Sequence, residues 1–339
     1  MFEIKALQVA HGDAFIVSYG EDMIRHIMID GGPASTVENI LKVFEDIRTE
    51  DRLRIELLVV THYDLDHIGG ILQLLRSPPS WLYIEDIWFN GQHHSCPSDA
   101  LGIRESDELS EILSIGVTWN NAFHGGPVIA DPNHWISLDG GLNILVLSPT
   151  KNELEVVGRV WGDYKKISEL SHTPADTLGR NDIWPAPNFS NVKRAGLRVD
   201  SSAANGSSIA LLLEYKKTKV LLAADAFSEV ISKSLAALTE NPVDIALLKV
   251  SHHGSQGNTS AVLLKTIACK KFLISTDGSI HRHPDQALIA RILDEVSNPE
   301  LIFNYNTAHI LRWQIPPRGW PRYTCQFPRW DEPFVRISL

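Results

Sequence analysis

Four residues that can bind a metal ion fall within six positions of the sequence, directly after the apolar run Leu57–Val60. They are His62, Asp64, Asp66 and His67. Imidazole suits zinc and iron, and carboxylates shift a site toward manganese. A bound divalent ion lowers the pKa of its water to about 7, which makes hydroxide available at neutral pH. The spacing therefore predicts a site for one or two divalent ions, Zn²⁺ or Mn²⁺, and a metal-dependent hydrolase.

The alternative is a surface loop whose aspartates only cap the next helix. A lone His or Asp would favour that interpretation. Four potential ligands at this spacing, after a buried strand, favour the metal site. Gly69-Gly70 then lets the chain turn closely around it.

Strands and helices alternate along the chain. Short apolar runs predict strands at residues 4–9, 14–18, 26–29, 55–60, 142–147, 208–215, 219–223, 245–250, 271–275, 301–304 and 310–314. Helical spacing of apolar residues predicts helices at residues 35–48, 68–75, 105–115, 227–238 and 286–296. This order predicts a layered α/β arrangement in which helices cover stacked sheets. Polar residues gather after strand ends, where such folds bind ligands.

Two segments depart from this regular pattern. Residues 151–200 are polar and contain many Pro, Asn and Ser residues, which predicts a long insertion or mobile loop. Residues 316–339 are rich in Trp and Pro. We therefore expect one domain over residues 1–315, with an insertion at about 151–200, followed by a C-terminal tail.

The composition is that of an ordinary globular protein, with 44% hydrophobic and 21% charged residues. A net charge of −10 argues against a generally basic nucleic-acid surface, but a bound metal would offset acidic charge where a phosphate approaches. Three separated cysteines fit a reducing compartment. The N-terminal residues predict a strand and not a signal peptide. No apolar run reaches the roughly 18 residues of a membrane helix, so we expect a cytoplasmic protein.

The motif His62-x-Asp64-x-Asp66-His67 resembles the HxHxDH signature of the metallo-β-lactamase superfamily, in the form HxDxDH. In particular, the chain resembles metallo-β-lactamase domains of the ComEC type, as a stand-alone soluble form. The other matching elements, in family order, are His11-Gly12-Asp13-Ala14, Asp30-Gly31-Gly32, Asn205-Gly206-Ser207-Ser208, Asp225, His252-His253-Gly254-Ser255 and His283-Pro284. The resemblance spans residues from about 4 to 300 and implies a four-layer αββα sandwich.

The resemblance also implies a ligand set. One metal ion would be held by Asp66, His67, Asp225 and His253, and a second by His62 and Asp64 with a bridging ligand. Asp225 precedes a predicted helix and has a competing role as its N-cap. The His-Gly-Ser order favours His253 over His252 as the ligand. His252 would then orient a ligand or contact the substrate.

Other residues have less specific signals. His283 is either a loop histidine or a group that binds phosphate or donates a proton, and we take Asp66, His252 and His283 as the catalytic candidates. Asp30 is expected to support a ligand, whereas His11 and Asp13 are left open. The histidines of the middle segment are expected at the surface: His93, His94, His124, His134 and His172.

The sequence departs from the superfamily pattern at one metal position. Many members carry a further metal-binding His before the strand that corresponds to Ile209–Leu213, and this chain has Ala204-Asn205 there. That position would be weak, open or filled by a histidine from the middle segment. A one-metal site, or one that prefers manganese, would follow.

ComEC-type domains resemble nucleases, which favours hydrolysis of a phosphodiester in nucleic acid or a nucleotide. A local basic rim is expected from Lys193, Arg194, Arg198, Lys249, Lys270 and Lys271. One alternative is hydrolysis of a lactone, amide or thioester in an aromatic pocket. Another is a weakly active or non-catalytic metal-binding component of a multiprotein complex, for example in defence, with Trp313–Pro333 as its docking surface. A protein partner or a homo-oligomer fits either alternative.

Overall fold

The structure is a computed structural model that describes residues 1–49, 51–91, 94, 104–114, 119–167, 182–194, 199–238 and 242–339. Its strands are β1 Phe2–Leu7, β2 Phe15–Tyr19, β3 Arg25–Ile29, β4 Leu53–Ile55, β5 Leu57–Val59, β6 Leu82–Ile84, β7 Ile87–Trp88, β8 Ile136–Ser137, β9 Asn143–Ser148, β10 Ala210–Tyr215, β11 Thr218–Leu222, β12 Val243–Ile245, β13 Leu247–Lys249, β14 Ile267–Cys269, β15 Lys271–Ile274, β16 Glu300–Phe303, β17 Thr324–Gln326 and β18 Phe334–Ser338. Its α-helices are α1 Val37–Ile47, α2 Leu65–Arg76, α3 Arg104–Ser114, α4 Lys151–Ile167, α5 Phe189–Lys193, α6 Ala203–Gly206, α7 Ser228–Ala236, α8 Ala261–Thr266, α9 Gln286–Glu295 and α10 Ala308–Leu311.

Two large sheets form the centre of the described structure. The first has the strand order β18-β1-β2-β3-β5-β7, and the second has the order β17-β16-β15-β13-β11-β10-β9-β8. Strands β3, β5 and β7 run parallel to one another, as do β11, β13, β15, β16 and β17. Two short parallel pairs, β4–β6 and β12–β14, accompany them.

Side-chain alternation along the strands produces four layers. In β3, Ile27 and Ile29 face the core between the two sheets, whereas Met28 faces the core under α1 and α2. In β10, Leu211 faces the core between the sheets and Leu212 faces the core under α7, α8 and α9. Three separate apolar cores require four layers, because each core is shared by two of them. The predicted αββα arrangement is confirmed.

The motif at residues 62–67 contains the start of a helix. The prediction began this helix at Ile68, but α2 begins at Leu65. Asp64 has an extended backbone, and its carbonyl oxygen accepts from the N–H groups of His67 and Ile68, at 2.9 and 3.0 Å. Asp66 and His67 are therefore held in the first turn of a helix and not in a loop.

Part of the segment predicted as a long insertion or loop is helical, since α4 covers residues 151–167. Glu153 accepts from the backbone N–H of Thr150 at 2.9 Å, which is half of a capping box. The sequence Thr150-x-x-Glu153 contains this signal. Residues 168–181 and 195–198 of the segment lie outside the described residues.

The predicted strand at residues 310–314 is wrong. The chain forms α10 there, followed by a 3-10 turn over Arg312–Gln314. Thr307 caps the helix, because its side chain accepts from the backbone N–H of Ile310. Trp313 is fully buried in the core under α9. The N-cap and the burial of Trp313 favour a helical turn more strongly than the composition of residues 310–314 favours a strand.

The segment described from sequence as a tail contributes strands to both sheets. Strand β17 pairs with β16, and β18 pairs with β1 at the edge of the first sheet. Val335 and Ile337 pack in the core between the sheets. Among the described residues, no helix combines the length and the apolar character needed to cross a membrane.

Ile337 of this segment and Ile315, directly before it, give a matched stability test. Ile337 is 2% exposed and Ile315 is 76% exposed. Ile337→Ala should lower the free energy of unfolding by about 2–5 kcal/mol, because it opens a cavity between the sheets. Ile315→Ala should change it by no more than about 0.5 kcal/mol. Urea unfolding measures both values, and equal effects would show that β18 contributes nothing to the core.

Candidate metal centre

The predicted ligands lie at one edge that both sheets share. His62 follows β5, Asp225 follows β11 and His253 follows β13. Asp66 and His67 lie in the first turn of α2, which leaves the same edge. Parallel strands end at the same edge of a sheet, so the side chains that follow them converge.

Four side chains form the centre of this cluster. The two imidazole Nε2 atoms of His67 and His253 are 3.3 Å apart. Oδ2 of Asp225 lies 3.5 and 3.6 Å from these two nitrogens. Oδ2 of Asp66 lies 3.2 Å from Nε2 of His253 and 3.9 Å from Nε2 of His67. The structure thus brings together Asp66, His67, Asp225 and His253.

These separations fit a divalent metal. Ligands at zinc bond lengths of about 2.0–2.1 Å in tetrahedral geometry are about 3.3 Å from one another. Two imidazoles and two carboxylates are a donor set that zinc and manganese both accept.

A carboxylate orients the first imidazole of the cluster. Oδ2 of Asp30 lies 2.8 Å from Nδ1 of His67. The backbone N–H and the hydroxyl of Thr61 both donate to Asp30 at 2.7 Å, so its position is fixed. Because Nδ1 is engaged, His67 presents Nε2 to the cluster. Asp30 has the supporting position that the sequence predicted.

The second imidazole is oriented in the same way. Nδ1 of His253 lies 3.0 Å from the carbonyl oxygen of Ser275 and 3.3 Å from Oδ1 of Asp13. This leaves Nε2 for the cluster. Asp13 also belongs to a group with His67, Asp225 and His253 whose ligand atoms all lie within 4.8 Å of one another. Asp13 and Asp66 are therefore the two alternatives for the fourth ligand.

His62 and Asp64 lie beside this cluster. The rings of His62 and His67 are 4.1 Å apart, and Nε2 of His62 is 3.6 Å from Oδ2 of Asp64. That nitrogen is buried without a hydrogen-bond partner among the described residues. The pair offers two donors to a second cation. The side chain of Asn205, at the position where the sequence has no further histidine, lies 3.4 Å from Nδ1 of His252. Its side-chain amide donates to Oδ2 of Asp200 at 2.6 Å.

His252 lies at the border of the cluster. Its Nδ1 is 3.3 Å from Oδ2 of Asp200 and 3.0 Å from Oδ1 of Asn258. Its Nε2 is 3.8 Å from Oδ2 of Asp225. Asp200 was missed by the sequence analysis because it lies in the polar segment treated as an insertion. No motif surrounds it that could have identified it.

The side chain of His283 is buried. Its Nδ1 lies 3.1 Å from Oδ1 of Asp285, and its Nε2 has no hydrogen-bond partner among the described residues. Its ring centre is 5.9 Å from that of His252. Burial lowers the pKa of His283 despite the neighbouring Asp285.

The charges of the cluster strongly favour a bound cation. Burial alone would lower the pKa values of the imidazoles, but nearby carboxylates outweigh it. Asp225 and Asp200 raise the pKa of His252 to about 9, and Asp13 and Asp225 raise that of His253 to about 10. The pKa of His67 is raised as well. The negative potential that retains protons here is the one that attracts a divalent ion.

The backbone at the strand ends adopts a conformation that L-residues rarely use. Asp30, Ala224, His252 and His253 all have positive φ angles, of 56°, 47°, 50° and 52°. Each such residue costs on the order of 1–3 kcal/mol, and such residues cluster at functional sites. Gly12 approaches so closely that a Cβ atom there would lie 2.0 Å from the carbonyl oxygen of Asp66.

The described residues of the predicted basic rim differ in burial and pairing. Lys249 is fully buried, Lys193 pairs with Asp294, and Lys271 pairs with Glu300. Arg194 and Lys270 are exposed. Arg198 lies outside the described residues.

Two of the remaining histidines lie at the surface, as the sequence predicted, and His94 is half-buried. His124 and His134 are exposed, and Nε2 of His94 contacts the carbonyl oxygen of Gly125. His93 and His172 lie outside the described residues. His11 is half-buried near the cluster, and its pKa is lowered by burial.

Comparisons with known proteins agree with this architecture. The family model described as the metallo-beta-lactamase superfamily matches residues 15–92. The comparison with curated proteins gave no match.

Several solved structures are similar to the chain. The metallo-beta-lactamase fold protein YhfI from Bacillus subtilis is 12% identical with a TM-score of 0.46, and the alignment covers 99% of each chain. Zn²⁺-bound PqqB from Methylobacterium extorquens is 11% identical with a TM-score of 0.46, over 99% of this chain and 100% of that one. A long form RNase Z from yeast is 13% identical with a TM-score of 0.39, over 99% of this chain and 42% of that one. None of these likenesses assigns a substrate or a metal to this chain.

The matched residues include β2, β3, β5 and α2, and thus Asp30 and the whole His62–His67 motif. They contribute Asp66 and His67 to the cluster, and strands and helices to two of the four layers. The match to the metallo-beta-lactamase superfamily model, over residues 15–92, therefore includes part of the candidate metal centre of this four-layer α/β fold.

Proposed function

We propose that the protein is a metal-dependent hydrolase that cleaves a phosphodiester in nucleic acid or a nucleotide. The observation that carries the proposal is the pair of imidazole Nε2 atoms of His67 and His253, 3.3 Å apart and faced by the carboxylates of Asp66 and Asp225. A divalent ion in this site would supply a water nucleophile at neutral pH and offset charge on a phosphate.

The other residues of the site would bind and orient the substrate. His252 is held by Asp200 and Asn258 and directs Nε2 toward the cluster. His283 is held by Asp285 and keeps a free Nε2 beside His252. These two nitrogens are placed to stabilise charge on a phosphate or to hand a proton to a leaving oxygen.

Metal content tests the ligand assignment. The purified protein should contain bound divalent metal, and Asp225→Asn should lose most of it, because a carboxylate next to both imidazoles disappears. Asp244→Asn is the matched control, since Asp244 is exposed on β12. Mass spectrometry of the elements gives metal per chain. Equal content in the two variants would exclude Asp225 as a ligand.

The adjacent histidines test which of the two is the ligand. His253→Gln should lose metal, whereas His252→Gln should keep it and reduce turnover of DNA by about 10²–10⁴-fold. The loss in His252→Gln should be smaller with bis(p-nitrophenyl) phosphate, whose leaving group needs little protonation. Metal loss in His252→Gln with retention in His253→Gln would reverse the assignment.

Turnover tests the reaction. Wild type should cleave bis(p-nitrophenyl) phosphate and labelled single- or double-stranded DNA. Asp66→Ala should reduce turnover by more than about 100-fold. Substitution of a residue that only supports a metal ligand reduces activity by about 10–100-fold. A contaminating nuclease would remain active in the Asp66→Ala preparation, so this comparison also controls for contamination, and Asp244→Ala should keep the turnover of wild type. Cleavage of lactone, amide or thioester substrates alone would refute the phosphodiester assignment. Stoichiometric metal without turnover, together with a co-purifying protein, would refute the assignment of the protein as an enzyme.

A further inference from the structure

A lysine lies beneath the metal centre, inside the protein. Lys249 ends β13, four residues before His253, and its side chain is fully buried. Leu247 of the same strand faces the core between the sheets, and Lys249 faces the same side because side chains alternate. The ammonium nitrogen lies 5.9 Å from the centre of the Phe15 ring. Lysine is almost never fully buried unless it is paired.

Two aspartates of the centre are the partners of this lysine. The ammonium group forms an ion pair with Oδ2 of Asp13 and lies 3.8 Å from Oδ1 of Asp225. It also donates to the carbonyl oxygen of Ala224 at 3.0 Å. Asp13 lies just before β2 of the first sheet. Lys249 ends β13 and Asp225 follows β11, both in the second sheet, so the lysine connects the two halves of the site.

The ion pair determines where Asp13 points. One carboxylate oxygen faces Lys249, and the other lies 3.3 Å from Nδ1 of His253. Nδ1 is on the side of the imidazole ring away from Nε2, which faces Asp66 and Asp225. Asp13 therefore contacts Nδ1 of His253 and not the nitrogen that faces the cluster. Its distance from the cluster would nevertheless allow it to bind metal.

The same ammonium group determines the orientation of Asp225. Oδ1 is on the side of Lys249, whereas Oδ2 lies within 3.8 Å of the Nε2 atoms of His67, His252 and His253. One oxygen is thus turned to the fixed cation and the other to the site of the exchangeable cation.

We propose that Lys249 is a positioning residue that keeps Asp13 out of the metal-binding set, so that Asp66 is the fourth ligand. The physical reason is that a buried carboxylate must be paired or must bind a metal. Without the ammonium group, Asp13 would have no fixed cation and would turn to the metal as a further oxygen ligand. The inference rests on the metal site of the proposed function and not on hydrolysis.

Two neutral substitutions and their combination test this role. Lys249→Met keeps a long unbranched side chain, one atom shorter than lysine, and removes its charge. It should raise the affinity for Mn²⁺ relative to Zn²⁺ by about tenfold, because an added carboxylate favours manganese. In the Co²⁺-loaded protein, the visible bands should weaken as coordination rises above four. Lys270→Met, at an exposed position, should change neither readout.

The double variant distinguishes positioning from simple structural support. Lys249→Met with Asp13→Asn removes both charges of the ion pair, and the amide oxygen introduced by Asp13→Asn can still accept from His253. The Mn²⁺ to Zn²⁺ ratio and the Co²⁺ spectrum should return to those of wild type. An altered ratio that persists in the double variant would overturn the proposal, as would an unchanged ratio in Lys249→Met.

The variant Asp13→Asn alone keeps the test decisive if Lys249→Met does not fold. It should bind the same number of metal ions as wild type, with the same Co²⁺ spectrum, because Asp13 is not a ligand. Loss of metal, or a changed spectrum, would show that Asp13 coordinates. Circular dichroism reports folding. Since every readout is metal binding, failure of the hydrolase assignment leaves this test unaffected.

Discussion

Buried carboxylates that face imidazoles are the interaction on which the site depends. In four pairs among the described residues, a carboxylate lies next to the Nδ1 atom of the imidazole: Asp30 with His67, Asp13 with His253, Asp200 with His252, and Asp285 with His283. A buried carboxylate is stable only beside a cation or several donors, so each pair constrains both side chains. The imidazoles are left with one orientation, and their free nitrogens converge because the strand ends converge.

The fold meets this constraint through parallel strands and an unfavourable backbone. Strands β11 and β13 end side by side in the second sheet, and β3 and β5 do so in the first. The chain then turns sharply, with positive φ angles at Asp30, His252 and His253. In a continued strand, successive side chains would alternate between the two faces of the sheet. The positive φ angles redirect them toward the gap between the sheets, where the burial of neighbouring strands compensates for the strain.

Much of this could be predicted from residue order alone. Four ligand types within residues 62–67, and the Asp and His residues after later strands, identified the donors that the structure brings together. Contacts between distant segments could not be predicted in this way. The burial of Lys249, which looked like a rim residue, follows from which face of β13 it occupies. Asp200 has no local motif, and the strand pairing of β18 with β1 joins opposite ends of the sequence.

The location of the cluster on the seam between the sheets links metal to stability. Asp66 and His67 lie in α2, which follows β5 of the first sheet, whereas Asp225 and His253 follow strands of the second sheet. An ion bound by all four would tie the two halves together and would bind only the folded chain. By mass action, free metal at 1,000 times its dissociation constant would then add roughly 4 kcal/mol to the free energy of unfolding. Chelation would loosen the sandwich first along this edge, so metal supply would also govern how long the folded protein persists.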